Sequence, residues 1–156
     1  MVDWYAGKLV DWDGGNNPAP VSQSTNLPFS VGVDIVEIRR IERAIQRWGE
    51  RFLGRVYTPA ELALCRGRAP ELAARFAAKE AISKALGTGL RGIGWREMEV
   101  LSDERGKPLV HLHGRAKARA DFLGLSDFAI SLSHSQVYAL AFVVAMGWMG
   151  QEGRSP

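Results

Sequence analysis

The sequence predicts a single α+β domain. Segments in which apolar and polar residues alternate, typical of strands, are interspersed with segments of helical spacing, but the two kinds do not alternate strictly. This order favours α+β over a doubly wound parallel sheet. The 156 residues suffice for one substantial core, and 46% apolar and 24% charged residues are typical of a globular protein.

Three regions differ in composition. Residues 1–29 form an N-terminal extension rich in Gly, Asn, Pro and Ser, which we expect to be flexible or to carry a short hairpin. Residues 30–147 form the main domain, and residues 148–156 a short tail.

The first half of the main domain holds one strand and three helices. Residues 31–38 are rich in β-branched residues and alternate, which predicts a strand. Helical spacing follows over about residues 39–48. Thr58, followed by Pro59 and Glu61, has the pattern of a helix start with a capping box. Pro70 opens a long helix to about residue 86, where Gly87 is a natural terminator.

The second half holds four strands and one helix. Residues 97–101 and 107–112 predict two strands joined by a turn, and residues 115–122 predict a helix ended by Gly124. Residues 128–132 and 138–145 predict a final strand pair.

The bulk properties exclude several classes. No apolar run is long enough for a membrane span, and no secretory signal is visible. Cys65 is the only cysteine, which excludes an internal disulfide, so we expect an intracellular, cytoplasmic protein. The net charge of +3 favours an anionic ligand or partner.

Two carboxylates stand out as candidate metal ligands. Asp34 lies in an otherwise apolar strand, where a carboxylate needs a cation or hydrogen-bond donors to compensate it. It is either a metal ligand or a strand-end aspartate bound to loop amides. Glu80 lies on the long, alanine-rich helix. Two carboxylates on separate elements suit Mg²⁺, which prefers oxygen ligands and keeps several waters.

Lys84 lies four residues after Glu80, on the same helical face. An ammonium beside a carboxylate suits a phosphate next to a cation, although this spacing is also a common surface pair worth a few tenths of a kcal/mol. The turn formed by Gly87, Thr88 and Gly89 offers unhindered backbone amides to a phosphate, although a helix C-cap alone would explain Gly87.

Further polar groups have two interpretations each. His134, at a predicted strand end among serines, is either a phosphate contact or acid–base group, or a turn histidine without function. His111 and His113 are predicted to be surface residues. A basic stripe on the first helix is either a solvated face or a docking surface for an acidic protein; it consists of Arg40, Arg43 and Arg47.

Three motifs, in order, resemble those of the bacterial holo-acyl-carrier-protein synthases, a branch of the 4′-phosphopantetheinyl transferases. Residues 32–38, Gly-Val-Asp-Ile-Val-Glu-Ile, resemble the N-terminal motif. Residues 75–89, from Arg-Phe-Ala-Ala-Lys-Glu-Ala to Gly-Thr-Gly, resemble the central one. Residues 131–134, Ser-Leu-Ser-His, followed by residues 138–141, resemble the C-terminal one. The resemblance spans about residues 31–145.

The resemblance implies a small antiparallel sheet around a long helix, and a homotrimer with CoA sites at subunit interfaces. It implies transfer of phosphopantetheine from CoA to a serine of an acidic apo acyl carrier protein, releasing adenosine 3′,5′-bisphosphate. By position, Asp34 and Glu80 become Mg²⁺ ligands and catalytic residues together with Lys84. The implied contacts to CoA are Lys84, Gly87, Thr88 and His134; those to the carrier protein are Arg40, Arg43 and Arg47.

Other functions fit less well. A CoA- or nucleotide-binding module without catalysis would need no carboxylate pair, and a nucleic-acid-binding domain should show a recognisable reading motif. A serine hydrolase would need a Gly-x-Ser-x-Gly elbow, which is absent from the sequence. The base that activates the acceptor serine stays open between Glu80, Glu37 and a metal-bound water.

Overall fold

A computed structural model describes residues 29–90 and 92–147, and before them only the backbone of three short strands. These strands, β1 (Val2–Tyr5), β2 (Lys8–Asp11) and β3 (Ala19–Pro20), pair antiparallel in the order β1-β2-β3. The rest of the predicted extension and the tail of residues 148–156 lie outside the described residues.

Two antiparallel sheets form the main domain. The larger has the order β4-β8-β7 and consists of β4 (Phe29–Glu37), β8 (Tyr138–Met146) and β7 (Asp127–His134). The smaller pairs β5 (Met98–Ser102) with β6 (Pro108–Leu112). Every strand expected in this domain is present, and the α+β prediction is confirmed.

The helices fill the connections between the strands. They are α1 (Ile38–Trp48), α2 (Glu50–Val56), α3 (Pro59–Cys65), α4 (Ala69–Ala85) and α5 (Gly114–Phe122), with a 3-10 turn at Trp95–Glu97. Only α2 was not expected. In the parts of the chain described here, none of the helices has both the length and the apolar character that a membrane crossing requires.

The predicted capping box begins α3. The Thr58 hydroxyl accepts a hydrogen bond from the Glu61 amide, and the Glu61 carboxylate accepts one from the Thr58 amide at 2.8 Å. These bonds satisfy two amides that a helix start leaves without partners. The cap places Glu61 in the interior, where its side chain is fully buried.

Helix α4 is the centre of the domain. It packs against β4, β8, β7 and β5, and all residues from 72 to 79 are buried. Its small side chains let β4 come unusually close. A Cβ on Gly32 would lie 1.9 Å from the Ala81 carbonyl oxygen, so no larger residue fits there. This contact sets the inner face of β4, and with it Asp34, against the helix.

Candidate active site

Asp34 and Lys84 form an ion pair between the strand and the helix. Asp34 is two residues beyond Gly32 and therefore shares the face of β4 that packs on α4. The Lys84 ammonium lies 2.9 Å from Asp34 Oδ1 and donates a second bond, also of 2.9 Å, to the Val33 carbonyl. The Lys84 side chain is 50% exposed and that of Asp34 is 19% exposed, so the pair is open to a ligand.

Glu80 lies one helical turn before Lys84 and is half-buried. Burial raises the pKa of its carboxyl, and the negative charge of Asp34 raises it further, whereas Lys84 and Arg40 act in the opposite direction. The two carboxylates predicted to act together therefore do share one electrostatic environment. Their mutual repulsion is an unfavourable interaction that a cation between them would relieve.

This donor set fits a divalent ion that prefers oxygen. No group of three or more His, Cys, Asp or Glu side chains able to hold a metal occurs among residues 29–90 and 92–147. A cation beside Asp34 and Glu80 would therefore complete its coordination with water and ligand oxygens. Mg²⁺ is characteristically bound in this way, by one or two carboxylates together with substrate phosphates.

The turn after α4 is a helix cap. The Gly87 amide donates to the Lys84 carbonyl at 2.9 Å, and the Thr88 amide donates to the Ser83 carbonyl at 3.3 Å. Gly87 has a φ of +69°, which completes the two-bond pattern of a Schellman motif. Two of the three amides that the sequence suggested for phosphate binding are therefore used by the cap. The cap that the sequence also suggested for Gly87 is therefore present, and the contact of Gly87 and Thr88 with CoA stays a prediction.

His134 stands apart from the carboxylates within this chain. It is exposed at the end of β7, and β8 separates β7 from β4. With neighbouring strands about 4.8 Å apart, this puts it about 10 Å from β4. In the described part of the chain we find no bond between His134 and Asp34, Glu80 or Lys84.

All three arginines of the α1 stripe are exposed. Arg43 lies 4.0 Å from the Glu37 carboxylate and donates to the Arg39 carbonyl at 3.3 Å. The guanidinium of Arg47 lies 5.1 Å from the Trp48 ring centroid. Trp48, the last residue of α1, is 51% exposed.

Arg40 is also exposed, but its charge acts on Glu80. Its guanidinium carbon lies 6.0 Å from the Phe76 ring centroid, and its charge lowers the pKa of Glu80. The sequence grouped it with Arg43 and Arg47, and of these three arginines it is the one that contributes to the electrostatics of Glu80. Its charge can therefore act on a ligand of the pair as well as on a docked protein.

Lys79, which has no role in the sequence-based hypothesis, forms a second ion pair on α4. Its ammonium lies 2.9 Å from the Glu61 carboxylate, and neither side chain is exposed. It also donates to the carbonyls of Trp95 at 3.0 Å and Met98 at 2.6 Å, while Glu61 accepts from the Val100 amide at 2.9 Å. Burial lowers the pKa of Lys79, and the Glu61 carboxylate opposes this. This pair ties α3 and the β5 region to α4.

Cys65 is excluded as a nucleophile. Its side chain is fully buried, and burial raises its pKa to about 11, so the thiol is protonated at neutral pH. A thiolate is the reactive form of cysteine. His111 and His113 are exposed, as predicted, and His113 lies 3.3 Å from the Glu99 carboxylate.

The comparisons with known proteins agree with this arrangement. The profile of the 4′-phosphopantetheinyl transferase superfamily matches residues 30–143. A holo-[acyl-carrier-protein] synthase of Herpetosiphon aurantiacus is 56% identical over 123 residues, which cover 74% of this chain and 97% of the relative. One of Dehalococcoides mccartyi is 54% identical over 114 residues, covering 73% of this chain and 95% of the relative.

Solved structures show the same fold. The crystal structure of Helicobacter pylori holo-[acyl-carrier-protein] synthase in complex with coenzyme A matches with a TM-score of 0.68 and 34% identity, covering 74% of this chain and 98% of that one. Plasmodium yoelii acyl carrier protein synthase with ADP bound matches with a TM-score of 0.70 and 31% identity, covering 76% of this chain and 95% of that one. The chain belongs to the 4′-phosphopantetheinyl transferase superfamily.

Proposed function

We propose that this protein transfers the 4′-phosphopantetheine group from CoA to a serine of an apo acyl carrier protein. The observation that carries the proposal is the cluster of Asp34, Glu80 and Lys84, which β4 and α4 bring together within the part of the chain that matches the family. The names of the relatives and the CoA complex of the Helicobacter pylori structure support it.

The reaction is a displacement at phosphorus. The serine oxygen forms a bond to the phosphorus that carries pantetheine, and the bond from that phosphorus to the bridging oxygen breaks. The leaving adenosine 3′,5′-bisphosphate keeps the electron pair, and the serine proton passes to a base. Negative charge grows on the leaving group and on the oxygens around the reacting phosphorus, so catalysis depends mainly on positioning and on positive charge.

Asp34 and Glu80 would hold Mg²⁺, which when bound neutralises charge on the diphosphate oxygens. Lys84 adds a point charge beside them, and its half-exposed side chain can leave Asp34 to meet a phosphate. A bound cation would lower the basicity of Glu80, so its raised pKa in the metal-free chain does not select it as the base that accepts the serine proton. Glu37, the other protein carboxylate considered, lies 4.0 Å from Arg43.

The carrier protein would dock on α1. Arg40, Arg43 and Arg47 are exposed there, and the charge of Arg40 also acts on Glu80. The helix begins at the end of β4, the strand that carries Asp34. An acidic partner would be steered to this surface by charge, and its serine would be delivered beside the reacting phosphate.

A homotrimer is the assembly that we propose. The outer face of β4 and β8 carries eight apolar side chains that are 37–59% exposed. They are Phe29, Val31, Val33, Ile35, Tyr138, Leu140, Phe142 and Met146. A continuous apolar sheet face of this kind is typical of an interface, and further copies of the chain would cover it. Such an interface could offer His134 to the site of a neighbouring chain.

Sedimentation analysis tests the assembly. We expect a species of three chains for the wild type and a smaller species for Val33→Lys, which puts a charge at the centre of the apolar face. Lys107→Glu, in the exposed turn between β5 and β6 of the smaller sheet, is the control. A wild type that sediments as a monomer at micromolar concentration would contradict the trimer.

The activity itself is tested by the intact mass of an apo acyl carrier protein. After incubation with this protein, CoA and Mg²⁺, we expect a gain of about 340 Da, the mass of the phosphopantetheine group. EDTA should abolish the gain and added Mg²⁺ should restore it. Measurable CoA binding with no mass gain on several carrier proteins would favour a non-catalytic binding module instead.

A further inference from the structure

The end of α4 receives a hydrogen bond from outside the helix. Arg119, on α5, donates from Nε to the Leu86 carbonyl at 3.1 Å. Its Nη2 lies 3.8 Å from the position that a Cβ of Gly87 would take. The guanidinium is therefore packed directly against the turn formed by Gly87, Thr88 and Gly89.

This bond completes the cap. The two amides of the turn reach the carbonyls of Ser83 and Lys84, which leaves the carbonyl of Leu86 outside the pattern. A helix end leaves its last carbonyls without partners inside the helix, and a cation near them also interacts favourably with the helix dipole. Arg119 therefore fixes the turn relative to α5 and to the helix that carries Glu80 and Lys84.

The charge of Arg119 is also unusual for its helix. Arg115 pairs with Glu97 at 3.2 Å, and Lys117 pairs with Asp121. Arg119 has no carboxylate partner among the residues that the structure describes, and it rests against the Phe122 ring at 5.4 Å. The positive charge of Arg119 is therefore not neutralised by a carboxylate in this part of the chain. It lies beside Leu86 and Gly87, two and three residues after Lys84.

We propose that Arg119 is a positioning residue for the phosphates of CoA. It holds the turn in one conformation, and its unbalanced charge makes the end of α4 attractive to a phosphate, although the turn amides are occupied by the cap. The inference rests on the proposed function, since it places CoA against this turn. In this proposal the positive charge of Arg119 attracts the phosphate, a role for which the sequence suggested the amides of Gly87 and Thr88.

The test compares Arg119→Met, Arg119→Lys and a control, Arg115→Met, on the same helix. For Arg119→Met we expect the Kd and KM for CoA to rise about tenfold, the loss of one hydrogen bond and one nearby charge. We expect kcat to change less than about twofold, and KM for the carrier protein to stay unchanged. Arg119→Lys should recover most of the CoA affinity, and Arg115→Met should behave as the wild type.

Binding and transfer are measured separately, by CoA titration calorimetry and by the mass assay. An unchanged Kd for CoA in Arg119→Met would overturn the inference, whether or not the wild type transfers. A melting temperature and kcat that fall together in both Arg119 variants would also overturn it, because a purely structural role would have that effect. Absence of transfer by the wild type would contradict the proposed function instead.

Discussion

Helix α4 carries two lysine–carboxylate pairs, five residues apart, that differ in almost every physical respect. Lys79 and Glu61 have no exposed surface, and backbone groups occupy their remaining hydrogen-bonding positions. Lys84 is half exposed, and its partner Asp34 also shares a field with Glu80. The same side-chain chemistry therefore serves two purposes on one helix.

The two pairs differ in whether they can exchange their partner for a ligand. A buried ion pair is stable only when its geometry and its additional hydrogen bonds compensate for lost hydration, so it is fixed in place. An exposed pair contributes little to stability and can exchange partners with a ligand. We therefore infer that the Lys79 pair fixes the helix, whereas the Lys84 pair meets the substrate.

Lys79→Met should have the largest effect. It leaves Glu61 as an uncompensated buried charge, which destabilises a protein by about 3–5 kcal/mol. Urea unfolding measures this loss, and Lys117→Met, which removes an exposed pair on α5, is the control. The double variant Lys79→Met, Glu61→Gln should recover part of the loss. A single variant as stable as the wild type would mean that the two pairs do not differ as described.

Glu80→Gln should abolish transfer while the fold persists. We expect a loss of at least about 100-fold in kcat/KM, as is typical when a charge-stabilising group is removed. The melting temperature of the ligand-free protein should rise at neutral pH. The raised pKa means that ionised Glu80 is less favourable in the folded than in the unfolded protein, so this penalty grows as pH rises through the ordinary glutamate range. A lower melting temperature would contradict this penalty, which arises from burial and from the negative charge of Asp34.

Lys84→Met should have a smaller effect, confined to substrate binding. Unfolding free energy should change by less than about 1 kcal/mol, since the pair is exposed. The KM for CoA should rise about tenfold, the loss of one charge-assisted contact. If CoA affinity were unchanged and stability fell by several kcal/mol, Lys84 would be a structural residue like Lys79.

The smallest expected effect is a shift in the acidic midpoint of the transfer rate. Because the pKa of Glu80 is raised, protons should compete with the cation at a higher pH than for an ordinary glutamate. The rate should therefore fall on acidification above the pH at which Glu80 would titrate in a peptide. Raising Mg²⁺ should move the midpoint to lower pH. A midpoint that is independent of Mg²⁺ would remove Glu80 from the cation site.

The sequence predicted what depends on local pattern. The strand at Asp34, the capping box at Thr58 and the helix through Glu80 all follow from spacing and from residues that begin or end helices. It did not predict α2, a helix of seven residues that contains Gly54, since so short a segment has weak periodicity.

The partners of individual charges could not be predicted, because they depend on contacts distant in sequence. The cap of α3 was predicted, but not that Glu61 also pairs with Lys79. The turn at Gly87 was predicted, but not that Arg119 of α5 completes it. Gly32 was seen as a strand residue, and only its position against the Ala81 carbonyl shows why it has no side chain.

The most direct test is cation binding by Asp34 and Glu80, measured by electron paramagnetic resonance with Mn²⁺, which prefers oxygen ligands as Mg²⁺ does. In the presence of CoA we expect the wild type to bind Mn²⁺, and Asp34→Asn and Glu80→Gln to lose this binding. Glu71→Gln, on the same helix but paired with Arg68, should bind as the wild type does. If Glu80→Gln bound Mn²⁺ as tightly as the wild type, the carboxylate pair would not be the metal site.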